Sequence, residues 1–416
     1  MKAKLKCLMA CLFLALAAHL TNCGDADRPN PETVQPQNPD VQPQAEAPLE
    51  IMFTQRHGFA ANAATQTSNG DYMVVGSTNA IGHGKSDVYV MRLNAMGEML
   101  WENAYGTEDN EVGQAIQQTE EGLYIVAGGG ECTFLILIDE NGNAIWEKTY
   151  CEPTGQNGSA RAVVQTTGGG YALAGAGTYP SMYDSQTGYV AKFDSNGEKL
   201  WRKQYGGYWK YYASCYALVE SLGGDEIFVT GVVGYVTGIT QSIFVEGFLQ
   251  DGGSGKSYSY SYPVPQDVCL WYSMDRTSDN GLILVGKRSS VLYDDPEKGI
   301  FLVKLNASLS EEWYRIFGNT PDDVGYGVKQ TPDGGYVIVG NTTDANTGHS
   351  VLYLVKTDSQ GDMLWERFYK GIQQAKGKSV ALTTGGGCIV SGNTSNSLTG
   401  ESGIYILITD EYGNVE

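Results

Sequence analysis

The chain has 416 residues, more than one ordinary compact core accommodates, yet no interior stretch reads as an interdomain linker. Glycine is abundant (54) and proline sparse (13), and 27 tyrosines accompany 11 phenylalanines, a composition suited to short strands and tight turns. The net charge is −20, and phosphate backbones or anionic lipid surfaces would repel such a chain, which excludes nucleic acid as a partner.

The N-terminus reads as a sorting signal. Lys2, Lys4 and Lys6 precede an apolar run from Cys7 to Leu20, too short to span a bilayer and suited to the hydrophobic region of a signal peptide. Leu20-Thr21-Asn22-Cys23 resembles a bacterial lipobox, although Asn22 stands where a small residue is usual. The resemblance implies lipidation at Cys23 and a membrane partner reached through that anchor, at the outer membrane or cell surface. Residues 24–48, rich in Pro, Gln, Asn and acids, cannot bury enough apolar surface to order themselves and are expected to form an extended tether. The expected organisation is a signal peptide over 1–22, lipidated Cys23 with its tether over 23–48, and a folded domain over 49–416.

Past residue 50 one phrase returns seven times. A strand ends in a polar pair such as Gln66-Thr67 or Gln330-Thr331. A glycine turn follows, as in Asp333-Gly334-Gly335, and then a strand such as Tyr336 to Val339 that closes on a glycine. A variable loop leads to a third strand, such as Val88 to Leu93. A turn of the form D-x-N-G then leads to a fourth strand of the form W-x-x-x-Y-G. The glycines closing the second strand are Gly76, Gly128, Gly175, Gly231, Gly286, Gly340 and Gly392, at intervals of 52, 47, 56, 55, 54 and 52 residues. A period near 50 with four strands per unit predicts propeller blades.

The fourth-strand aromatics are Trp101, Trp146, Trp201, Trp313 and Trp365, with Tyr258 and Tyr262 standing in for Trp and Tyr in the fourth unit. The seventh unit has no fourth strand of its own, but Phe53 to Gly58 matches Trp101 to Gly106 position for position. An all-β, seven-bladed β-propeller of four-stranded antiparallel blades, closed by the N-terminal strand, is therefore expected. Residues 50–416 resemble bacterial secreted and surface propellers with D-G-G-Y and W-x-x-x-Y-G repeats, quinoprotein-like or kelch-like in appearance. That resemblance implies a fold and little chemistry. Quinoprotein repeats carry one more residue before the turn glycine than Asp194 to Trp201 does, and sialidase-type Asp boxes one fewer. No cofactor is implied.

Links between strands two and three, and from one unit to the next, are long and varied, and are expected on one face. That face should carry the aromatics Tyr208, Trp209, Tyr211 and Tyr212, with Trp271 and Tyr272 opening the next unit, as candidate ligand-binding residues. Acids gather in the same loops (Glu108, Asp109, Glu111; Asp294, Asp295; Asp322, Asp323) without the spacing of a calcium loop. His83 and His349 occupy equivalent loops. No nucleophile–histidine–acid motif and no CxxC occurs, so neither a catalytic nor a metal site is assigned. The leading expectation is a surface-anchored binding or scaffold propeller recognising a glycan or protein through this face. The alternative is a secreted carbohydrate-active enzyme using the acids.

A hairpin turning at Asn141-Gly142 pairs positions whose numbers sum to 283. Cys132 and Cys151 obey this, so a disulfide between them is expected on a secreted protein.

Overall fold

A computed structural model describes residues 58–151, 158–178, 186–206, 211–235, 241–261, 268–289, 298–318, 320, 322–369, 374–395 and 402–415. The secondary structure among these residues is β, and every strand pairing is antiparallel. Strands β1 (Phe59–Gln66), β2 (Tyr72–Thr78), β3 (Asp87–Leu93) and β4 (Met99–Tyr105) form a sheet in that order. Strands β5 (Glu111–Gln118), β6 (Tyr124–Gly130), β7 (Thr133–Ile138) and β8 (Ala144–Tyr150) repeat the pattern. So do β9 (Gly158–Gln165), β10 (Tyr171–Thr178), β11 (Gln186–Phe193) and β12 (Lys199–Gly206), and a single β6–β9 pairing at Gly129 and Ser159 joins these two units into one eight-stranded sheet. The next sheet is β13 (Tyr211–Glu220), β14 (Glu226–Tyr235), β15 (Gln241–Leu249) and β16 (Ser254–Ser261). After it come β17 (Val268–Arg276), β18 (Leu282–Ser289), β19 (Gly299–Leu305) and β20 (Glu311–Phe317). Strands β21 (Val324–Gln330), β22 (Tyr336–Thr343), β23 (Ser350–Thr357) and β24 (Met363–Tyr369) make another. Three strands, β25 (Ala375–Leu382), β26 (Cys388–Ser395) and β27 (Ser402–Thr409), end the series.

The polarity of each strand follows its place. The middle strands are apolar runs, and Thr133 to Ile138 of β7 is buried throughout because neighbouring sheets cover both its faces. Fourth strands are half-covered: β4 exposes Met99 and Leu100 at its start. Separate apolar clusters lie between consecutive units. One of them joins Phe59, Tyr72 and Tyr89 of the first sheet to Ile389, Ile404 and Ile406 of the last. Ala61 N–H donates to Asn393 Oδ1 (2.8 Å) and Thr384 N–H to Gln66 Oε1 (2.6 Å) across the same contact.

The repeat motifs hold neighbouring units together. The Trp101 indole donates to the Glu140 carbonyl (3.0 Å) and the Tyr105 hydroxyl to the Gly142 carbonyl (2.6 Å), so W-x-x-x-Y of one unit clasps the D-x-N-G turn of the next. Tyr369 does the same to Gly413 (2.6 Å). The turn glycine leaves room for the indole: a Cβ at Gly361 would lie 2.6 Å from Trp313, and at Gly413 2.8 Å from Trp365. Where the fourth unit has Tyr258 in place of Trp, the next turn has Leu309 in place of glycine. Leu309 is held at φ 60° and fills the space in the same apolar cluster.

The D-x-N-G turn corrects one expectation. It is not a two-residue hairpin loop: Gly142 N–H donates to Asp139 O (3.1 Å) and Asp139 N–H to Asn143 O (3.0 Å), so glycine takes the left-handed position after a tighter turn. A bulge between Leu137 and Ile138 then restores the register, and Thr133 faces Tyr150. Cys132 and Cys151 continue that ladder by one rung and are joined by a disulfide with Cα atoms 4.7 Å apart. The strand predicted over Phe53 to Gly58 lies outside the described residues except for Gly58, as do Cys23 and the tether.

Candidate functional site

Each pairing of a first with a second strand carries a β-bulge at one repeating place. The partners step from Ala61↔Gly76 to Ala63↔Val75, leaving Asn62 as an extra residue. The same step leaves Gln114, Arg161, Tyr216, Tyr272, Tyr326 and Lys378 extra in the following units. The glycine closing the second strand makes this possible. A Cβ at Gly76 would collide with the Ala60 carbonyl, and at Gly340 with the Val324 carbonyl. The bulge brings that carbonyl in, and only glycine leaves it space.

The bulge residues meet across units, because each first strand lies against the first strand of the next and β1 against β25. The Tyr216 and Tyr272 rings are 5.4 Å apart, edge to face, and Tyr272 and Tyr326 5.1 Å apart. The Arg161 guanidinium covers Tyr216 at 4.5 Å, and the Lys378 ammonium covers Tyr326 at 5.0 Å. Asn62 Nδ2 donates to the Gly113 carbonyl (2.8 Å). The result is a belt in which three tyrosines stand in a row with a cation over each end. All seven side chains are half-buried. Each cation–π contact contributes about 0.5–2 kcal/mol, more as water is excluded.

Burial, reinforced by Tyr326 and Tyr216 and eased by Arg161, pushes the Tyr272 hydroxyl well above its ordinary value; burial raises Tyr326 too. Both stay neutral at physiological pH and keep a hydrogen-bond donor and acceptor each. Burial, with Lys376 beside it, lowers the Lys378 ammonium. Nη1 of Arg161 is buried and has no hydrogen-bond partner among the described residues.

Of the residues expected to bind ligand, Tyr272 lies in this belt. Trp271 does not reach a surface. It is 1% exposed, in the core between the fourth and fifth units, and stacks on Tyr258 at 6.1 Å. Side chains alternate along a strand, so the bulge that turns Tyr272 into the belt leaves Trp271 between the sheets. Tyr212 is half-buried on β13. Tyr208, Trp209 and the side chain of Tyr211 lie outside what is described. Among the acids, Asp323 is fully buried and accepts hydrogen bonds from Thr320 and Thr342, a structural role. His83 is exposed and His349 half-buried, and no group of three or more His, Cys, Asp or Glu able to hold a metal occurs among the described residues. Cys215 and Cys388 are buried free thiols; burial pushes both up, Cys388 to about 11, so they are inert.

Sequence reasoning missed Arg161, Tyr216, Tyr326 and Lys378. The signal was there: each bulge residue precedes its second-strand glycine by 14 residues, or 15 for Tyr216, and three successive units carry tyrosine at that place.

No protein-family model and no curated protein matches the chain. Solved structures do. The WD40 domain of Neurospora crassa Pan2 is 12% identical, with 84% of this chain and 88% of that one covered at a TM-score of 0.53. Sqt1 of Chaetomium thermophilum, bound to the N-terminus of ribosomal protein L10, is 12% identical over 85% and 98% of the two chains at 0.50. A Bacteroides caccae protein of unknown function is 14% identical over 70% and 94% at 0.42. At these identities the likeness to the Pan2 domain and to Sqt1 concerns the fold alone, and together with the four-stranded antiparallel sheets it makes this chain a β-propeller.

Proposed function

We propose that this protein is a non-enzymatic binding propeller, anchored at the cell surface through Cys23, that holds a segment of a partner protein at the tyrosine–cation belt. The observation that carries this reading is the contiguous row Arg161, Tyr216, Tyr272, Tyr326 and Lys378. Tyrosine and arginine are over-represented among the anchors of protein interfaces: tyrosine covers much area for little loss of rotamer freedom, and the arginine fork both stacks on rings and binds carboxylates. The fold has a precedent for such a ligand in the Chaetomium propeller bound to a ribosomal protein N-terminus. A glycan fits the belt less well, since sugar stacking needs open ring faces and these faces are used by one another and by two cations. Paired carboxylates for glycoside hydrolysis are not among the belt's side chains.

In this reading the propeller has seven blades and the residues from Phe53 to Gly58 complete the last one. Support comes from three-stranded β25–β27, from β1 lying against β25, and from the clasp rule, by which Phe53 and His57 would grip the first blade's turn at Asn94–Gly97.

Binding of the purified full chain to peptide and glycan arrays tests the function. Peptide binding is expected, and Tyr272→Ala with Tyr326→Ala should weaken it at least about tenfold. A folded double variant that binds like the parent, or binding to glycans alone, would overturn the reading.

A further inference from the structure

We infer that the belt selects an acidic segment, one that places a carboxylate on Arg161 and another at the Lys378 end. This deepens the reading above and rests on it.

The chain carries 47 acidic against 27 basic side chains, yet the seven belt positions hold two cations and no acid. The groups that shift Tyr272 are Tyr326, Tyr216 and Arg161, and the one charge that shifts Lys378 is Lys376, a further cation on the same strand. Among the described residues neither Arg161 nor Lys378 forms an ion pair with a carboxylate. The charge of the belt is thus opposite to that of the molecule, which is the complementarity an anionic ligand requires.

Arg161 is the second observation. Its guanidinium carbon sits 4.5 Å from the Tyr216 ring centre, a contact that uses none of its N–H donors. Its Nη1 is buried with no acceptor among the described residues. A buried donor left unpaired costs free energy, and a carboxylate recovers it with paired, charge-assisted bonds that match the planar fork. The half-buried tyrosine row lowers the local dielectric and so strengthens the attraction. At the other end Lys378, over Tyr326 and beside Lys376, offers a point charge to the next carboxylate along the segment.

The test uses the full chain and three probes: a short polyglutamate peptide, the matching polyglutamine peptide and an oligogalacturonate. Polyglutamate should bind at least about tenfold tighter than polyglutamine. Arg161→Gln and Lys378→Gln should each weaken polyglutamate about tenfold while still melting cooperatively as folded proteins, and raised salt should narrow the difference. Arg161→Lys, which keeps the charge and loses the fork, should fall between. If Arg161→Gln does not fold, Lys378→Gln decides alone. Equal binding of the two peptides, removed by Tyr272→Ala with Tyr326→Ala and untouched at Arg161, would overturn the acidic selection and leave the protein-binding reading standing. Binding of oligogalacturonate alone would overturn both, and no binding by any probe would overturn the acidic selection, leaving the protein-binding reading to the peptide array.

Discussion

At the residue scale, glycine positions in this chain are explained by what would otherwise collide. Gly340→Ala would press a Cβ onto the Val324 carbonyl, so it should destabilise the protein by about 1–3 kcal/mol in urea titration. It should also weaken peptide binding, because the bulge beside it presents Tyr326. The Tyr258–Leu309 exchange makes a paired prediction. Tyr258→Trp alone should destabilise, since Leu309 occupies the space an indole needs, and adding Leu309→Gly should recover part of the loss.

The turn aspartates anchor buried lysines on the third strands. Asp279 bonds to Lys304 (2.8 Å) and Asp333 to Lys356 (2.9 Å). Burial works against each carboxylate's charge, but the lysine, a threonine hydroxyl and a backbone N–H outweigh it and bring both down to about 2. Folded values below the unfolded one mean that this stability is full above about pH 4 and is lost as pH falls toward 2. Both side chains are more than half exposed (54% and 59%), so screening reduces the contribution to about 0.5–1 kcal/mol each. Urea midpoints followed from pH 5 to 2 should fall, and Asp279→Asn with Asp333→Asn should flatten that fall.

At the element scale, the outer hairpin of the second blade carries the covalent clamp found among the described residues. Cys132 and Cys151 close a loop of sequence separation 19, and restricting the unfolded chain over such a loop contributes about 3 kcal/mol. Replacing both by serine should lower stability by roughly that amount in denaturant titration, with peptide binding retained, because strands β7 and β8 lie at the outer edge, away from the belt. Unchanged stability would mean that the hairpin's own ladder already holds it closed.

At the scale of the whole molecule, each blade depends on its neighbour for a clasp as well as for an apolar face. Deleting residues 49–58 should therefore lower the melting temperature sharply if Phe53 and His57 grip the first blade's turn. Phe53→Ala with His57→Ala should reproduce part of that drop. A deletion that melts like the parent would show that the ring closes without them. Limited proteolysis should cut first within residues 24–48, where composition opposes folding.

The period and the strand pattern of the repeat are legible in the sequence by itself, because strand alternation and turn glycines are local and repeat. A two-residue turn predicts the pairing of Cys132 with Cys151, but it is the bulge between Leu137 and Ile138 that puts them opposite each other. The sequence could not determine which aromatics face a ligand. Trp271 and Tyr272 are adjacent and equally aromatic, and only the bulge opposite Gly286, which shifts the alternation by one residue, sends one into the core and the other into the belt. Arg161, Tyr216, Tyr272, Tyr326 and Lys378 belong to different blades, some 50 residues apart, and what brings them together is the packing of one first strand against the next. That is a property of the tertiary structure, since no single unit contains the belt.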